Sequence, residues 1–322
     1  PDFLQRINEA HRILILSHVN PDGDAIGSLL GVWHALQALG KEAIPLASSE
    51  TPVYSQWLPG YEHVHVYEHG MPLPDADLVL LVDTATLPRV GPVYAEHAEE
   101  LHRLPLLIVD HHVTNQGDGT LNLIVTHAAA TCEILYHLFQ AMAVEINPSL
   151  ATCLLLGLTT DTQSYQTSAT RASSLHVAGD LLAQGADHYR IVHEVYYALP
   201  PSSAALIGLS IEQMRIDHGV AWTFVTQAMM QITGAEDEAA DEVTRMMQRV
   251  AGTKALVLFK ERVDGTTKIS LRSSPSINVA TLAQTWGGGG HAQASGATLL
   301  MTPAQAAEEV LPRLRELVAT YG

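Results

Sequence analysis

Cysteine is scarce in this chain of 322 residues, and its two cysteines, Cys132 and Cys153, both lie in apolar segments with helical patterning. Two such thiols do not make the disulfide scaffold of a small secreted protein. We expect both side chains to be buried as small hydrophobic groups. The reducing cytoplasm is therefore the expected location of the protein.

Basic residues are also few, since 17 Lys and Arg stand against 34 Asp and Glu and the formal net charge is -17. Binding to duplex DNA depends on many Lys and Arg contacts to phosphates, so this balance argues against it. The charge is uneven, because residues 1–186 hold 20 acidic and 6 basic residues, whereas residues 245–275 hold seven basic and two acidic ones. Cations bound in the first part and anions in the second would explain this distribution, but a solvated basic surface would also explain the second part.

Long hydrophobic runs are missing as well. No apolar run reaches the roughly 18 residues of a membrane span, and no basic segment followed by an apolar one opens the printed sequence. We expect neither a membrane span nor a signal peptide. The apolar fraction of 47% still indicates a globular protein with a substantial core, and the length suits two domains.

Short apolar runs alternate with helical patterns in the first part of the chain. The runs predict buried strands at residues 12–17, 77–83 and 104–110, and the longer patterns predict helices at residues 24–40, 131–143, 149–162 and 169–186. This alternation predicts an α/β fold with a mostly parallel sheet covered by helices. We expect this first domain to comprise residues 1–186.

The pattern changes in the second part of the chain. Residues 187–213 look helical, contain LPPSS, and are predicted to form a helical linker. Residues 214–322 are expected to form a smaller α/β domain with a mixed sheet, with strands at residues 221–227, 254–262 and 267–273. Thr302, followed by Pro303, is the candidate N-cap of a closing helix.

Aspartate and histidine residues follow the predicted strands of the first domain. They are His18, Asp22 and Asp24 after the first strand, Asp83 as the last residue of the second, and Asp110, the last residue of the third, with His111 and His112 after it. Open parallel sheets bind ligands beyond these strand ends. Each residue alone is typical of a turn or a helix cap, but carboxylates gathered together repel one another, and a divalent cation relieves that repulsion. Oxygen and imidazole ligands without thiolates suit Mn²⁺, Mg²⁺, Zn²⁺ or Fe²⁺ rather than a structural zinc site.

The segments SHVNPDGDAIGS, VDTA, DHH and TDT occur in this order and resemble the four motifs of the DHH phosphoesterase family. The segment GGGHAQASG, at residues 288–296, is similar to the signature of the DHH-associated C-terminal domain. These motifs extend from residue 17 to residue 296, so the resemblance covers nearly the whole chain. Within the family, the chain resembles the compact branch of nanoRNases and pAp phosphatases.

The resemblance implies a pair of divalent metal ions, most typically Mn²⁺. It implies that His18 and Asp22 bind one ion, that Asp24, His111 and Asp161 bind the other, and that Asp83 bridges the two. It also implies that His112 acts as an acid or charge stabiliser and that Asp110 fixes the tautomer of a histidine. Two such ions, about 3.5–4 Å apart, activate water and hold the attacking and leaving oxygens in line.

The resemblance assigns the substrate's terminal nucleotide and phosphate to the second domain. The residues implied are Arg272, Gly288, Gly289, Gly290 and His291. A glycine run can line an anion site with backbone N–H groups or form a flexible turn, and the planar guanidinium of arginine suits phosphate. Ser28, in the first turns of the helix after Gly27, is expected to face an anion as well.

We therefore expect an enzyme that hydrolyses short oligoribonucleotides to nucleoside monophosphates and dephosphorylates 3′-phosphoadenosine 5′-phosphate. Hydrolysis of linear or cyclic dinucleotides, such as pApA or cyclic di-AMP, is the alternative. A non-catalytic nucleotide-binding regulator is a third hypothesis, disfavoured because all six ligand positions and His112 are present. Short single-stranded RNA and a second copy of the chain in a homodimer are the expected partners, without duplex DNA or membranes.

Overall fold

The computed structural model describes residues 2–322, apart from the side chain of His291. It divides into two compact units, one extending to Ala198 and one from Leu199 to Gly322. This division falls inside residues 187–213, the segment for which we predict a helical linker. Each unit has its own sheet and its own hydrophobic core.

The first unit contains a six-stranded sheet. Its strands are β1 (Arg12–Leu16), β2 (Glu42–Ala47), β3 (His65–Val66), β4 (Leu78–Val82), β5 (Leu106–Asp110) and β6 (Leu121–Ile124). Their order across the sheet is β3-β2-β1-β4-β5-β6, and every neighbouring pair is parallel. From β1 the chain adds β2 and β3 on one side of the sheet and β4, β5 and β6 on the other. The carboxyl ends of β1 and β4 therefore flank the crevice where open parallel sheets bind ligands.

Helices cover both faces of this sheet. The described α-helices of the unit are α1 (Asp2–Glu9), α2 (Gly23–Ala38), α3 (Pro92–Arg103), α4 (Thr131–Ala141), α5 (Pro148–Asp161), α6 (Ala172–Ala183) and α7 (His188–Val192). Alternate residues of β1 enter two different cores: Ile13 and Ile15 pack with α2, α4 and α5, whereas Leu14 and Leu16 pack with α3. This double burial explains why the central strands read as uninterrupted apolar runs.

Helix α2 packs closely against α5 because glycines lie at every fourth position along one of its faces. A Cβ atom would lie 2.4 Å from Thr160 Oγ1 if added at Gly23, and 2.5 Å from the carbonyl oxygen of Cys153 if added at Gly27. Gly27 therefore allows α2 and α5 to come into close contact, and it does not line the anion site that we expect beside Ser28. The close approach brings the amino end of α2 beside the carboxyl end of α5.

The second unit contains a mixed sheet. Its strands are β7 (Arg215–Asp217), β8 (Val220–Val225), β9 (Ala255–Glu261), β10 (Thr267–Ser273), β11 (Gly289–His291) and β12 (Ala294–Leu299), in the order β11-β12-β10-β9-β8-β7. Strands β8 and β9 are parallel and the other pairs are antiparallel. The predicted fold class, a covered parallel sheet followed by a smaller mixed-sheet domain, is confirmed.

The described helices of the second unit are α8 (Pro201–Glu212), α9 (Gln227–Thr233), α10 (Ala239–Gln248), α11 (Ala280–Gln284) and α12 (Pro303–Tyr321). Thr302 is the N-cap of α12, as predicted, and forms a capping box with Gln305. In the described part of the chain, every helix is too short or too polar to span a membrane.

The contact between α2 and α5 predicts the effect of adding one methyl group. Gly27→Ala should lower the free energy of unfolding by about 1–3 kcal/mol, because its Cβ would overlap the backbone of α5. Gly179→Ala in α6 is the matched control, since a Cβ there meets nothing within 4 Å, and alanine favours an exposed helix by up to about 1 kcal/mol over glycine. Urea unfolding followed by circular dichroism measures both changes. A Gly27→Ala protein as stable as the wild type would contradict this packing.

Candidate active site

The side chains predicted from the first part of the sequence meet at the carboxyl ends of β1, β4 and β5. Two groups of three have ligand atoms within 4.8 Å of one another: the His18 set (His18, Asp22 and Asp83) and the His111 set (Asp24, His111 and Asp161). A third such group combines Asp83 and His111 with His112. Each of the six predicted metal-binding residues therefore lies in one cluster, although these residues are separated by up to 143 positions along the chain.

Asp83 lies at the centre of this cluster. Its Oδ2 atom is 3.6 Å from His18 Nε2, and its Oδ1 atom is 3.6 Å from His111 Nε2. Asp83 has a φ of 52°, in the left-handed region that is strained for a residue with a side chain. Its N–H donates to the carbonyl oxygen of Val109 at 3.0 Å, which fixes this turn against β5. One carboxylate oxygen thus faces each imidazole, as a carboxylate shared by two cations requires.

The two central imidazoles have matching orientations. His18 Nδ1 lies 3.0 Å from the carbonyl oxygen of Val19, and His111 Nδ1 lies 3.4 Å from the carbonyl oxygen of Ala128. Because a carbonyl can only accept, each Nδ1 atom is the donor, and the neutral ring keeps its lone pair on Nε2. Both Nε2 atoms face the carboxylates, which is the tautomer that a metal-binding histidine needs.

Asp24 is fully buried and is held by a second helix. Its Oδ2 and Oδ1 atoms accept from the backbone N–H groups of Thr131, at 2.6 Å, and Cys132, at 3.0 Å. These residues begin α4, so the carboxylate lies at the positive end of that helix. A Cβ atom at Gly157 would lie 2.4 Å from Asp24 Oδ1, so only glycine leaves room for the carboxylate. Asp22, whose side chain is more exposed, caps α2 instead.

The cluster carries more negative than positive charge. Burial, together with Asp83 and Asp22, raises the pKa of Asp24 well above its usual value. Burial and neighbouring carboxylates similarly raise the pKa of Asp161. Burial alone would lower the pKa of His18, but the hydrogen bond and charge of Asp83 and the charge of Asp22 outweigh it and raise the pKa to about 9.

The ion pairs that involve these carboxylates, within the described residues, are all with histidines rather than with lysine or arginine. Uncompensated carboxylates beside correctly oriented imidazoles fit divalent cations. Their oxygen and nitrogen donors suit Mn²⁺, Mg²⁺, Zn²⁺ or Fe²⁺.

His112 is positioned by a chain of side-chain contacts. Its Nδ1 atom lies 2.7 Å from Asp110 Oδ1, and Asp110 Oδ2 accepts from Asn115 Nδ2 at 2.7 Å. Burial alone would lower the pKa of His112, but the hydrogen bond to Asp110 and the charge of Asp83 raise it. The structure therefore places Asp110 against His112, and it favours the protonated imidazole beside the cluster.

Ser28 does not belong with these residues. Its side chain is completely buried, and its Oγ atom lies 3.4 Å from Cys132 Sγ. The expected anion contact at Ser28 is therefore corrected, because α2 turns this position into the core and leaves it no surface for a ligand. Both cysteines are free and buried, and burial raises the pKa of each thiol.

Sequence reasoning did not single out Thr131, Gly157 or Asn115. Asn115 lies in the same segment as the DHH motif, so a search for amides near the motif could have found it. Gly157 and Thr131 carry no comparable local signal, since each lies within or beside an apolar helical pattern. Their roles depend on contacts with distant segments of the chain.

In the second unit, Arg272 and the glycine run belong to neighbouring strands. Arg272 on β10 pairs with Ala294 on β12, which pairs with the backbone of His291 on β11. The Arg272 side chain is half-buried, and its Nη1 atom donates to the carbonyl oxygen of Leu271 at 2.9 Å. The predicted ligand role of the His291 side chain lies outside what the structure describes.

The glycine run forms a turn that leads into an edge strand. Gly287 has a φ of 71°, and Gly289 and Gly290 belong to β11. A Cβ atom at Gly288 would lie 2.1 Å from the carbonyl oxygen of Gly296, so β12 leaves no space for a side chain there. Close approach of two backbones therefore requires glycine at this position.

The fold and the cluster first define a class, a two-unit α/β protein with a carboxylate and imidazole site suited to divalent metal ions. Residues 12–158 match the model of the DHH family, N-terminal domain, and residues 224–320 match the DHHA1 domain. The chain is 34% identical over 311 residues to the bifunctional oligoribonuclease and PAP phosphatase NrnA of Thermus thermophilus, covering 96% of this chain and 91% of that protein. It belongs to the DHH family of phosphoesterases and is a hydrolase of phosphoester bonds.

Two further comparisons extend this result. The chain is 28% identical over 340 residues to the cyclic-di-AMP phosphodiesterase GdpP of Geobacillus thermodenitrificans, covering 98% of this chain but 48% of that protein. The crystal structure of an exopolyphosphatase-related protein from Bacteroides fragilis superposes with a TM-score of 0.91 at 24% identity, covering 99% of this chain and 96% of that one. The second likeness shows the fold alone.

Divalent cations should stabilise the folded protein through this cluster. A ligand that binds only the folded state adds RT ln(1 + [L]/Kd) to the free energy of unfolding, about 2.7 kcal/mol at a concentration of 100 Kd. Mn²⁺ should therefore raise the thermal midpoint of the wild type, and Asp83→Asn should lose most of this shift. Asp77→Asn is the control, because Asp77 binds backbone N–H groups of His11 and Arg12 outside the cluster. Scanning fluorimetry with Mn²⁺ and with EDTA measures these shifts in the thermal midpoint. Equal shifts in Asp83→Asn and Asp77→Asn would mean that the stabilising cations bind outside the cluster.

Proposed function

We propose that this protein is a Mn²⁺-dependent enzyme that hydrolyses very short oligoribonucleotides to nucleoside monophosphates and dephosphorylates 3′-phosphoadenosine 5′-phosphate. This proposal rests on the orientation of the Asp83 carboxylate, whose two oxygens each face a different imidazole, those of His18 and His111. The NrnA relative, named for an oligoribonuclease and a PAP phosphatase, supports the substrate class over nearly the full length of both proteins.

We assign one cation to the His18 set and a second to the His111 set together with Asp83. When bound, such a pair of cations activates water and stabilises negative charge on the phosphoryl group. The chain's own contribution is to hold the ligands in place before substrate arrives: the backbone carbonyls of Val19 and Ala128 orient the imidazoles, and the amino end of α4 holds Asp24. Mn²⁺ is chosen because carboxylate-rich sites with some imidazole accommodate it well.

His112 supplies the acid of the proposed reaction. Asp110 engages Nδ1 and Asn115 holds Asp110, so the ring keeps one orientation as substrate binds. Because the pKa of His112 is raised above its ordinary value, its imidazole stays protonated to a higher pH than a free histidine does. Nε2 then donates the proton to the leaving oxygen, while the positive ring stabilises charge on the phosphoryl group.

The second unit holds a substrate phosphate in this proposal, through Arg272, Gly288, Gly289, Gly290 and His291. The pairing of β10, β12 and β11 supports it, because it places the backbones of Arg272 and His291 in register two strands apart. A guanidinium can bind a phosphate through two N–H groups at once.

The expected domain limits, the cytoplasmic location and the homodimer are retained as parts of the proposal.

Hydrolysis of dinucleotides or cyclic dinucleotides is the second candidate function. The similarity to GdpP, named as a cyclic-di-AMP phosphodiesterase, supports it across 98% of this chain. A non-catalytic regulator is less consistent with a complete ligand cluster and an oriented His112. Substrate preference therefore separates the candidates better than the metal site does.

A substrate-length series tests the first candidate. With Mn²⁺ present, kcat/KM should be highest for RNAs of two to about five nucleotides and fall steeply toward oligomers of about two dozen, because a substrate gripped at its terminal phosphate must also reach the metals. Chromatography of the products, with EDTA as control, measures this. Equal rates across the series would contradict the proposal, and faster cleavage of cyclic di-AMP than of any short RNA would favour the second candidate.

Arg272→Ala tests the assigned phosphate contact. Loss of a charge-assisted hydrogen bond costs about 1.5–3 kcal/mol, so KM for a dinucleotide should rise about 10- to 100-fold. Mn²⁺ affinity should stay at the wild-type value. Arg249→Ala is the matched control, since Arg249 is an exposed arginine of the same unit at the end of α10. An unchanged KM in Arg272→Ala would remove Arg272 from the substrate site.

A further inference from the structure

The amino end of α4 lacks an N-cap side chain of its own. Its N-cap residue is Ala130, which offers no side-chain hydrogen bond. The carboxylate of Asp24, 107 residues earlier in the chain, takes that place and accepts from the Thr131 N–H at 2.6 Å. This helix end and the metal-binding cluster are therefore held by the same carboxylate.

Thr131 also contacts the other central carboxylate. Its Oγ1 atom donates to Asp83 Oδ1 at 3.0 Å, across 48 positions of the chain. Thr131 is fully buried, and Asp83 is 2% exposed, so water does not compete for this bond. One residue thus holds an oxygen of Asp24 with its backbone and an oxygen of Asp83 with its side chain.

The hydroxyl bond determines how Asp83 presents its oxygens. Oδ1 faces His111 Nε2 and Oδ2 faces His18 Nε2, each at 3.6 Å. Rotation of the carboxylate about its Cβ–Cγ bond would move both oxygens out of these directions. In the described part of the chain, the ion-pair partners of Asp83 are His18, His111 and His112. In the proposed function these imidazoles serve cations and substrate, which leaves the Thr131 hydroxyl to hold the carboxylate.

We propose that Thr131 is a positioning residue that holds Asp83 in the bridging orientation and ties it to Asp24, so that both ligand sets can bind cations together. The inference rests on the proposed function only in requiring that divalent cations bind at this cluster. It does not depend on which phosphoester is hydrolysed. The residue acts through the two carboxylates and touches neither the substrate nor the reacting atoms.

The test is a calorimetric titration of the full chain with Mn²⁺ alone. Thr131→Val removes the hydroxyl while keeping the side-chain volume and the backbone N–H. It should weaken at least one Mn²⁺ binding event about 10- to 100-fold, the usual effect of losing a group that orients a metal ligand. Thr131→Ser keeps the hydroxyl and should restore affinity close to that of the wild type. Thr131→Ala gives the same comparison without a branched side chain, should Thr131→Val fold poorly.

Thr152→Val is the matched control for the loss of a buried hydroxyl. Thr152 lies in the same unit, and its Oγ1 atom donates to the carbonyl oxygen of Pro148 at 2.7 Å, within α5. This variant should lose thermal stability but keep wild-type Mn²⁺ affinity. Metal affinity therefore separates positioning of the carboxylates from a general loss of stability.

Steady-state kinetics provide a second measure of the same role. In Thr131→Val, kcat at low Mn²⁺ should fall while KM for a dinucleotide changes little, and added Mn²⁺ should recover much of the lost rate. Wild-type Mn²⁺ affinity in both Thr131→Val and Thr131→Ala would overturn the inference, even if short RNA is cleaved. A wild-type protein that binds Mn²⁺ but cleaves no short RNA would instead overturn the proposed function and leave the role of Thr131 standing.

Discussion

Mutual repulsion among buried carboxylates is the constraint around which the first unit is built. Two unit charges 4 Å apart repel by about 4 kcal/mol at the effective dielectric typical of proteins. Asp24 and Asp83 are nevertheless both buried and belong to one cluster. The fold offsets this repulsion with two kinds of groups: imidazoles aimed at Asp83 and the positive end of α4 aimed at Asp24. What remains uncompensated is the charge that divalent cations would neutralise.

This constraint also explains features that look unrelated in sequence. The glycines of α2 and α5 allow two helices to approach until their ends bring Asp24 and Asp161 to the same imidazole, His111. Gly157 leaves the space that the Asp24 carboxylate fills. Asp83 adopts a left-handed backbone conformation with a φ of 52°, which turns its carboxylate toward the two imidazoles. Helix packing, backbone conformation and charge therefore all help to position the carboxylate oxygens of Asp24, Asp83 and Asp161.

The two units differ in their balance of acidic and basic residues. The first unit holds 22 acidic and 7 basic residues and the candidate cation ligands, whereas the second holds 12 acidic and 10 basic residues, the basic stretch at residues 245–275 and the glycine-rich edge strand. The carboxylates and imidazoles of the first unit suit cations, and the arginines and backbone N–H groups of the second unit suit anions. This difference in charge is compatible with both candidate functions, so the preference for short RNA or for cyclic dinucleotides is the property that distinguishes them.

The fold class could be predicted from the apolar runs of the sequence, and the metal roles in the main cluster from the resemblance to the DHH family. Strands β1, β4 and β5 are buried on both faces, so their apolar runs identified them to within two residues, and the aspartates and histidines follow directly where these strands end. The shorter or less apolar strands β2, β6 and β12 were not predicted, because they lack such runs. Ser28 was misassigned because a local helix-start pattern does not reveal which face a second helix will cover.

The roles of Thr131 and Gly157 could not be predicted from the sequence and are visible only in the folded chain. Both depend on partners more than 40 positions away, and neither residue type carries a charge or a motif that would show this in the sequence. Local sequence specifies strand ends and charged groups, whereas a hydrogen bond or a vacant Cβ position exists only after distant segments have packed together.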